Sequence, residues 1–212
     1  LQLSRLVQPS DTAYCYAARI LREQGRRREI IPAGFHGVGF YAFNFEEGAN
    51  WFGDEHVAAL RGLLRAFDPK PLPNTVKRAL WYHEYMFWTQ MIDIRWPLCV
   101  TALEALVHTD ESDRPKKNRI GSTDQFVRRL HALTQFVPSL TWTQHDLQEA
   151  YDRRSGLVHG RAHGADALAP EGRRLYFLLE RGLRAILVAA IRRQVIADIF
   201  LSKTSVRTFL GF

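Results

Sequence analysis

The residues best suited to chemistry in this sequence lie at positions 151–160, which read Tyr-Asp-Arg-Arg-Ser-Gly-Leu-Val-His-Gly. Arg154 falls on an apolar stripe of helical spacing, where an arginine is costly unless it is paired or lines a cleft. His159 precedes Gly160, a glycine typical of a helix end. A permanent cation and an imidazole that titrates near neutral pH therefore meet at one helix end. The predicted stripe comprises Leu147, Ala150, Tyr151, Arg154, Leu157 and Val158.

The spacing of the two candidate groups restricts how they can meet. Residues five apart on a regular helix are separated by about 140° around its axis. Arg154 and His159 therefore do not share a stripe, and they can converge only if the helix ends or distorts between them. Gly156 and Gly160 would permit either outcome.

Three stretches of the chain together resemble one known family. Residues 154–160 are similar to the Arg-x4-6-His signature of HEPN domains, and their Ser, Val and Gly most resemble the Apea-like branch. Residues 101–106, Thr-Ala-Leu-Glu-Ala-Leu, resemble that branch's helix with a buried-side glutamate, and residues 79–82, Ala-Leu-Trp-Tyr, resemble the helix before it. The order and spacing of these stretches also fit, and the resemblance covers roughly residues 74–201.

The resemblance implies an all-α antiparallel bundle, a homodimer with two motif ends in one cleft, and metal-independent cleavage of RNA. Arg154 and His159 are then the catalytic residues. His159 would act as base toward the 2′-hydroxyl or as acid toward the leaving 5′-oxygen, and Arg154 would hold the nonbridging phosphate oxygens. The protein would be the effector part of a defence or stress-response protein.

Two other function classes stay open at this point. One is a non-catalytic Apea-like HEPN module that dimerises and binds RNA, a nucleotide or a partner protein. The other is a purely structural bundle. Glu104 fits both views, because a carboxylate facing Arg154 would orient its guanidinium or would form a buried pair that only stabilises the bundle. Tyr151 supports the site by contacting substrate or by packing, and packing is favoured.

The remaining candidate residues adjoin the motif. Ser155 supports the site at a position where the well-supported nuclease branches commonly carry Asn, Asp or His, which matches the Apea-like branch. Arg153 and Arg161 are predicted to bind nucleic acid as surface charges. His159 and His163 flank Arg161, but no carboxylate or cysteine lies nearby, so we predict no metal site and no cofactor.

Composition favours a globular chain with polyanionic partners. The 212 residues are 46% hydrophobic, enough for one core with a small appendage, and the formal net charge is +7. Cys15 and Cys99 provide neither a disulfide framework nor metal-ligand spacing, which predicts a cytoplasmic protein. Arg192 and Arg193 interrupt the apolar residues 183–201, which indicates a bundle helix and no membrane span.

The chain divides where prolines at 69, 71 and 73 enforce an extended linker. We predict an N-terminal extension, 1–73, with a short strand region and one helix, and a HEPN-like bundle, 74–212. Because the sequence begins at Leu1, we expect it to be a piece or processed form of something longer, with further domains or partners. Helices are predicted at 11–24, 54–67, 74–93, 97–108, 122–136, 143–160 and 170–201, and strands within 29–45.

Local patterns also predict three details of the bundle. The aromatic residues of 74–93 are assigned to the core. Residues 109–119 are assigned to a mobile solvent loop. Ser122 and Gln125 are assigned to a capping box.

Overall fold

The computed structural model describes residues 2–7, 18–23, 27–32, 54–68, 72–89, 91–161, 169–192 and 195–211. These residues form an all-α bundle with a two-stranded hairpin near the N-terminus, which confirms the predicted fold class. The helices are α1 (Gln2–Val7), α2 (Asp54–Ala66), α3 (Asn74–Met86), α4 (Ile92–Val107), α5 (Ser122–Ala132), α6 (Gln144–Val158), α7 (Pro170–Ile191), α8 (Val195–Ile199) and α9 (Lys203–Leu210). Single 3-10 turns occupy Lys116–Asn118 and Leu133–Gln135.

The hairpin corrects one predicted helix. Strand β1 (Ala18–Glu23) pairs antiparallel with β2 (Arg27–Pro32), from Ala18 opposite Pro32 to Glu23 opposite Arg27. The helix predicted at 11–24 is therefore wrong over 18–23, because the neighbouring strand supplies backbone partners and the isoleucine and leucine residues suit a strand equally well. The predicted strand region is confirmed at 29–32. The rest of these two predicted segments lies outside the described residues.

Helices from both predicted domains share one hydrophobic core. Leu3 and Leu6 of α1 and Leu63 of α2 are buried in the same cluster as the residues of the bundle. Two of the three linker prolines lie outside the described residues, whereas Pro73 caps the start of α3. The division at residue 73 therefore stays a prediction.

Helix α4 lies at the centre of the bundle, in contact with α3, α5, α6 and α7. Half of its residues are buried, because its sequence is apolar around most of its circumference. Cys99 is among them, and burial raises the pKa of its thiol, with a further contribution from the carboxylate of Glu180. This central position allows α4 to present Glu104 toward α6.

The boundary between α3 and α4 differs from the predicted one. Helix α3 ends at Met86, with Phe87 as C-cap, whereas the pattern predicted a helix to residue 93. Helix α4 begins at Ile92, so Pro97 is its sixth residue instead of lying in its first turn. Proline has no backbone N–H, so the helix lacks one hydrogen bond at this position. The helix nevertheless continues through Pro97, and the adjacent Trp96 is buried in the core.

The aromatic residues of α3 do not all enter the core. Trp81, Tyr85 and Trp88 are 55%, 51% and 50% exposed, which corrects their predicted core assignment. The helix has more apolar residues than one face can bury. Its core-facing positions are taken by Val76, Ala79, Leu80, His83 and Met86.

The segment 109–119 is anchored to the bundle by a buried arginine, contrary to the predicted solvent loop. Arg129 of α5 is fully buried, and its Nη1 donates to the carbonyl of Val107 at 2.8 Å and to the side chain of Gln125 at 2.6 Å. Its Nη2 donates to Glu111 at 3.1 Å. Gln125 in turn accepts the backbone N–H of Thr109, so it does not serve in the predicted capping box, and Gly121 is the N-cap.

A second arginine closes this network from the C-terminal end of the described chain. Arg207 of α9 donates to Glu111 at 3.3 Å and to Asp113 at 2.8 Å and 3.1 Å. Burial alone would raise the pKa of Glu111, but hydrogen bonds from Thr109 and Arg129 bring it below its usual value. Hydrogen bonds from Arg207 and Lys203 lower the pKa of Asp113. The two carboxylates are thus held charged.

The last predicted helix is divided into separate pieces. Helix α7 ends at Ile191, and α8 and α9 follow as short helices where one helix to residue 201 was predicted. Gly182 of α7 allows a close approach, because a Cβ placed there would lie 2.1 Å from the ring of Trp142. The indole N–H of Trp142 donates to the carbonyl of Leu130 at 3.1 Å. This contact joins α7 to the segment between α5 and α6.

Candidate functional site at the end of α6

Helix α6 is fixed at its start by local hydrogen bonds. Thr143 is the N-cap and forms a capping box with Asp146, whose carboxylate also receives Arg174 of α7 at 2.9 Å. Burial alone would raise the pKa of Asp146, but hydrogen bonds from Thr143 lower it. Further along, the buried Trp96 of α4 donates its indole N–H to the carbonyl of Ala150 at 3.3 Å. These contacts set the register of α6 against α4.

Helix α6 ends in a Schellman motif that places His159. Gly160 has φ of 66°, its N–H donates to the carbonyl of Leu157 at 3.2 Å, and the N–H of Arg161 donates to Gly156 at 2.8 Å. The left-handed conformation at Gly160 favours glycine because it has no Cβ. His159 is the C-cap, with an exposed side chain. Val158 is 52% exposed, so it leaves the apolar stripe on which it was predicted.

Arg154 forms the ion pair that its place on the stripe requires. Its Nη2 lies 3.6 Å from Oε2 of Glu104, and the two side chains are 26% and 17% exposed. Its guanidinium carbon lies 5.9 Å from the ring centroid of Tyr151, within the range of a cation–π contact. Among the described residues, its buried Nε finds no hydrogen-bond partner. The guanidinium is therefore positioned by α4 and by its own helix, and part of the side chain is open to solvent.

Tyr151 both packs and takes part in this cluster. Its ring lies 5.2 Å from that of Phe126 on α5. Burial raises the pKa of its phenol, as do the charge of Glu104 and a hydrogen bond with it. Phe126 packs against Tyr151, and Thr123 forms a hydrogen bond with its phenol. No local signal in the sequence links these two residues to α6, because they lie on α5.

The other candidate residues surround the helix end without forming one constellation. Ser155 lies 3.4 Å from the Nη2 of Arg161, across the terminal turn. Arg153 pairs with Glu149 one turn earlier, at 2.7 Å. In the described part of the chain, no hydrogen bond or ion pair joins the ring of His159 to Arg154. Helix α6 continues through Gly156 and ends at Val158, so the two groups of one chain stay on different sides of the helix axis.

A second polar cluster lies deep in the core, away from α6. His83 is fully buried, with its Nε2 3.5 Å from Glu180, and Arg184 lies 2.8 Å from the same carboxylate. Burial alone would raise the pKa of Glu180, but the charges of Arg184 and His83 lower it. Burial of the imidazole and the carboxylate favours a structural role for this cluster in α3 and α7.

The described residues contain no group of three or more His, Cys, Asp or Glu side chains able to hold a metal ion. His163 lies outside the described residues. None of the helices in the described part of the chain has both the length and the apolar character that crossing a membrane requires.

A scan against protein-family models found none that matches the chain, and searches of the curated proteins and of the solved structures found no similar protein. The resemblance of residues 154–160 to the HEPN signature therefore stays a prediction.

Proposed function

We propose that this protein is a metal-independent endoribonuclease of the HEPN type that acts at the C-terminal end of α6. The observation that carries the proposal is the arrangement around Arg154. Its guanidinium lies near Glu104 and Tyr151 while the side chain stays 26% exposed, and His159 is exposed at the end of the same helix. Each α6 thus carries a positioned cation and, at its end, an exposed imidazole, and two such helix ends brought together would suit the cleavage of a phosphodiester.

The substrate's own 2′-hydroxyl would serve as nucleophile. Its proton passes to an imidazole while its oxygen attacks the phosphorus, and the bond from phosphorus to the 5′-oxygen breaks as that oxygen receives a proton. The products are a 2′,3′-cyclic phosphate and a 5′-hydroxyl. Arg154 would stabilise the negative charge that develops on the nonbridging oxygens. Arg161 and Arg153, near the same helix end, would attract the phosphate backbone.

A homodimer would supply the second proton-transfer group. The separation of Arg154 and His159 around the axis of α6 argues against both groups of one chain acting on the same phosphate. Two α6 ends related by a two-fold axis would place two imidazoles and two guanidinium groups in one cleft. One histidine would then act as base and the other as acid.

The test is cleavage of RNA and of matched DNA by the purified protein in excess chelator. We expect the RNA to be cut to products with 2′,3′-cyclic phosphate ends and the DNA to stay intact, because DNA lacks the nucleophile. His159→Ala should slow cleavage by about 10²- to 10⁴-fold. Arg154→Lys should also cleave RNA poorly, because an ammonium keeps the charge but lacks the planar, two-pronged geometry of the guanidinium.

The matched control is His145→Ala, which removes an exposed imidazole from the opposite end of α6. It should cleave RNA like the parent. If folded His159→Ala cuts RNA as fast as the parent, the activity belongs to another site and the proposal fails.

One observation favours a second candidate, the non-catalytic module that dimerises and binds RNA, a nucleotide or a protein. Arg154 already pairs with Glu104, and among the described residues no bond joins it to His159. A parent protein that binds RNA in a salt-sensitive manner and never cuts it would establish this alternative.

A further inference from the structure

The outward face of α3 carries three large aromatic side chains that the core does not use. Trp81, Tyr85 and Trp88 are each about half exposed, and their spacing of four and three residues places them on one side of the helix and its C-terminal turn. The rings of Trp81 and Tyr85 are stacked, with centroids 5.0 Å apart and planes 29° apart. Half-exposed flat rings in register are suited to stack against other flat groups.

Two cations precede these rings on α3. Lys77 and Arg78 are exposed on α3, one turn before Trp81. The only acidic residue of α3 is Glu84, which forms an ion pair with Arg5 and accepts the indole N–H of Trp88 at 3.1 Å. Its charge is thereby offset, and it fixes the orientation of Trp88. The α3 surface therefore combines aromatic rings with two exposed cations, and Asp93 is an exposed carboxylate at the start of α4.

We propose that this α3 face, formed by Lys77, Arg78, Trp81, Tyr85 and Trp88, binds single-stranded nucleic acid. Successive bases would stack on the rings while the two cations contact the phosphates, the combination by which proteins bind single strands without reading their sequence. The choice of RNA as the natural strand rests on the proposed function. Binding itself needs no cleavage, so the α3 face would position a strand whose other part reaches the α6 end.

The stacked pair fixes how a base can bind. A separation of 5.0 Å between the centroids of Trp81 and Tyr85 leaves no room for a base between the two rings. Bases would instead lie on the outer ring surfaces, with Trp88 as the next platform. From Lys77 to Trp88 the helical rise spans roughly 16 Å, which suits a short stretch of strand.

Charge distinguishes a nucleic acid from a second copy of this chain as the occupant. Met91 and Ile94, 62% and 44% exposed at the start of α4, extend the apolar surface and would also suit a protein contact. Two copies meeting through this face would bring the exposed Lys77 and Arg78 of each chain close together. A polyanion meets the same cations with opposite charge.

The experiment measures the affinity of the full chain for a 12-nucleotide uridine-rich RNA and for DNA of matching sequence. It uses the His159→Ala background so that cleavage is slow compared with the binding measurement. Trp81→Ala and Trp88→Ala should each weaken binding of both strands by about 5- to 150-fold, because base stacking tolerates either sugar. Phe209→Ala, which removes an exposed aromatic side chain from α9, is the matched control and should bind like the background protein.

The cations are tested through the salt dependence of binding. Lys77→Ala combined with Arg78→Ala should make the slope of log affinity against log salt shallower by about 1.4, since each phosphate contact to a single strand contributes about 0.7. Arg61→Ala combined with Arg65→Ala removes two exposed cations from α2 and should leave the slope nearly unchanged. Circular dichroism confirms that each variant is folded.

The outcomes separate this proposal from the proposed function. Loss of RNA and DNA binding in the tryptophan variants supports the α3 face even if the parent never cuts RNA. Unchanged binding in folded Trp81→Ala and Trp88→Ala overturns it, even if the parent is a nuclease. The nucleic-acid proposal is also overturned if these variants leave binding unchanged and only lower the mass of the protein in light scattering, because a second copy of the chain then occupies the face.

Discussion

Arg154 satisfies two requirements at the residue scale that usually conflict. Its ion pair with Glu104 offsets the cost of partial burial, and 26% of the side chain stays exposed to solvent. The neighbouring Arg153 is 28% exposed and pairs with Glu149 of its own helix, and pairs of this kind contribute little to stability. Arg154 differs because its partner comes from another helix, α4. The role of Glu104 can therefore be separated from ordinary ion pairing by comparing the two glutamates.

Glu104→Gln should lower RNA cleavage by about 10- to 100-fold, because the guanidinium loses the group that fixes its orientation. The free energy of unfolding should fall by at most about 1 kcal/mol, since the pair is partly solvated. Urea unfolding and single-turnover cleavage measure the two effects. Glu149→Gln is the control, and it should leave cleavage unchanged. Equal cleavage by Glu104→Gln and the parent would assign Glu104 a purely structural role.

The contact between Gly182 and Trp142 gives a prediction about packing. Gly182→Ala should destabilise the bundle by about 1 to 3 kcal/mol, because the new methyl group overlaps the indole ring and the surroundings must move. Thermal and urea unfolding measure the loss. Gly62→Ala is the matched control in α2, where no atom lies within 4 Å of the added Cβ, and it should stabilise by about 0.5 to 1 kcal/mol. Equal effects of the two substitutions would contradict the packing argument.

At the scale of elements, the segment 109–119 owes its order to distant helices. Glu111 receives Arg129, 18 residues away, and Arg207, 96 residues away. The segment thereby joins α5 to α9. Its many charges resemble those of a solvated loop, and only the tertiary fold shows that some of them are buried together.

Arg129→Met should destabilise the fold by about 3 to 5 kcal/mol, because Glu111, Gln125 and Thr109 lose a fully buried donor. The neighbouring Arg128 is half exposed and pairs with Asp124, so Arg128→Met should change stability by no more than about 0.5 kcal/mol. Urea unfolding of both variants at neutral pH makes the comparison. A similar small effect for Arg129→Met would show that the buried network contributes little.

The same network predicts a decline in stability in acid. The pKa values of Glu111 and Asp113 are lowered in the folded state, so their contribution is present above the unfolded values of about 4.3 and 3.9 and is lost as pH falls through the folded values. Arg207→Gln removes a donor to both carboxylates, so its acid unfolding should begin at higher pH than that of the parent. Circular dichroism across pH 2–7 tests this. Coincident acid transitions would contradict the assignment.

Local signals in the sequence predicted where the helices begin and end better than they predicted which residues the helices contact. Asp54 and Thr143 mark helix starts within one residue of those observed, and Gly160 marks the end of α6. The stripe through Arg154 indicated the need for a partner, and Glu104 lies 3.6 Å away. The exposed Trp81 and the buried Arg129 could not be predicted, because which face of a helix is covered depends on helices distant in sequence.

If the proposed function is correct, one chain is one subunit of an active homodimer. Mixing equal amounts of parent and His159→Ala protein, with exchange of subunits, should reduce specific activity to about a quarter of the parent's, since only one dimer in four keeps both histidines. Independent monomers would retain half. Activity measurements on the mixture, with light scattering to report mass, decide between them. A fully active monomer would refute the two-fold cleft.

The buried thiol of Cys99 can serve as a chemical probe for opening of the core. The Cys99 thiol is buried in α4 and its pKa is raised, so it reacts with a thiol reagent only when the surrounding helices separate. In a Cys15→Ser variant, the rate of reaction with a small disulfide reagent would then report how often the centre of the bundle opens to solvent. The rate at which the core of the bundle opens can thus be measured without any substrate, partner or catalytic turnover.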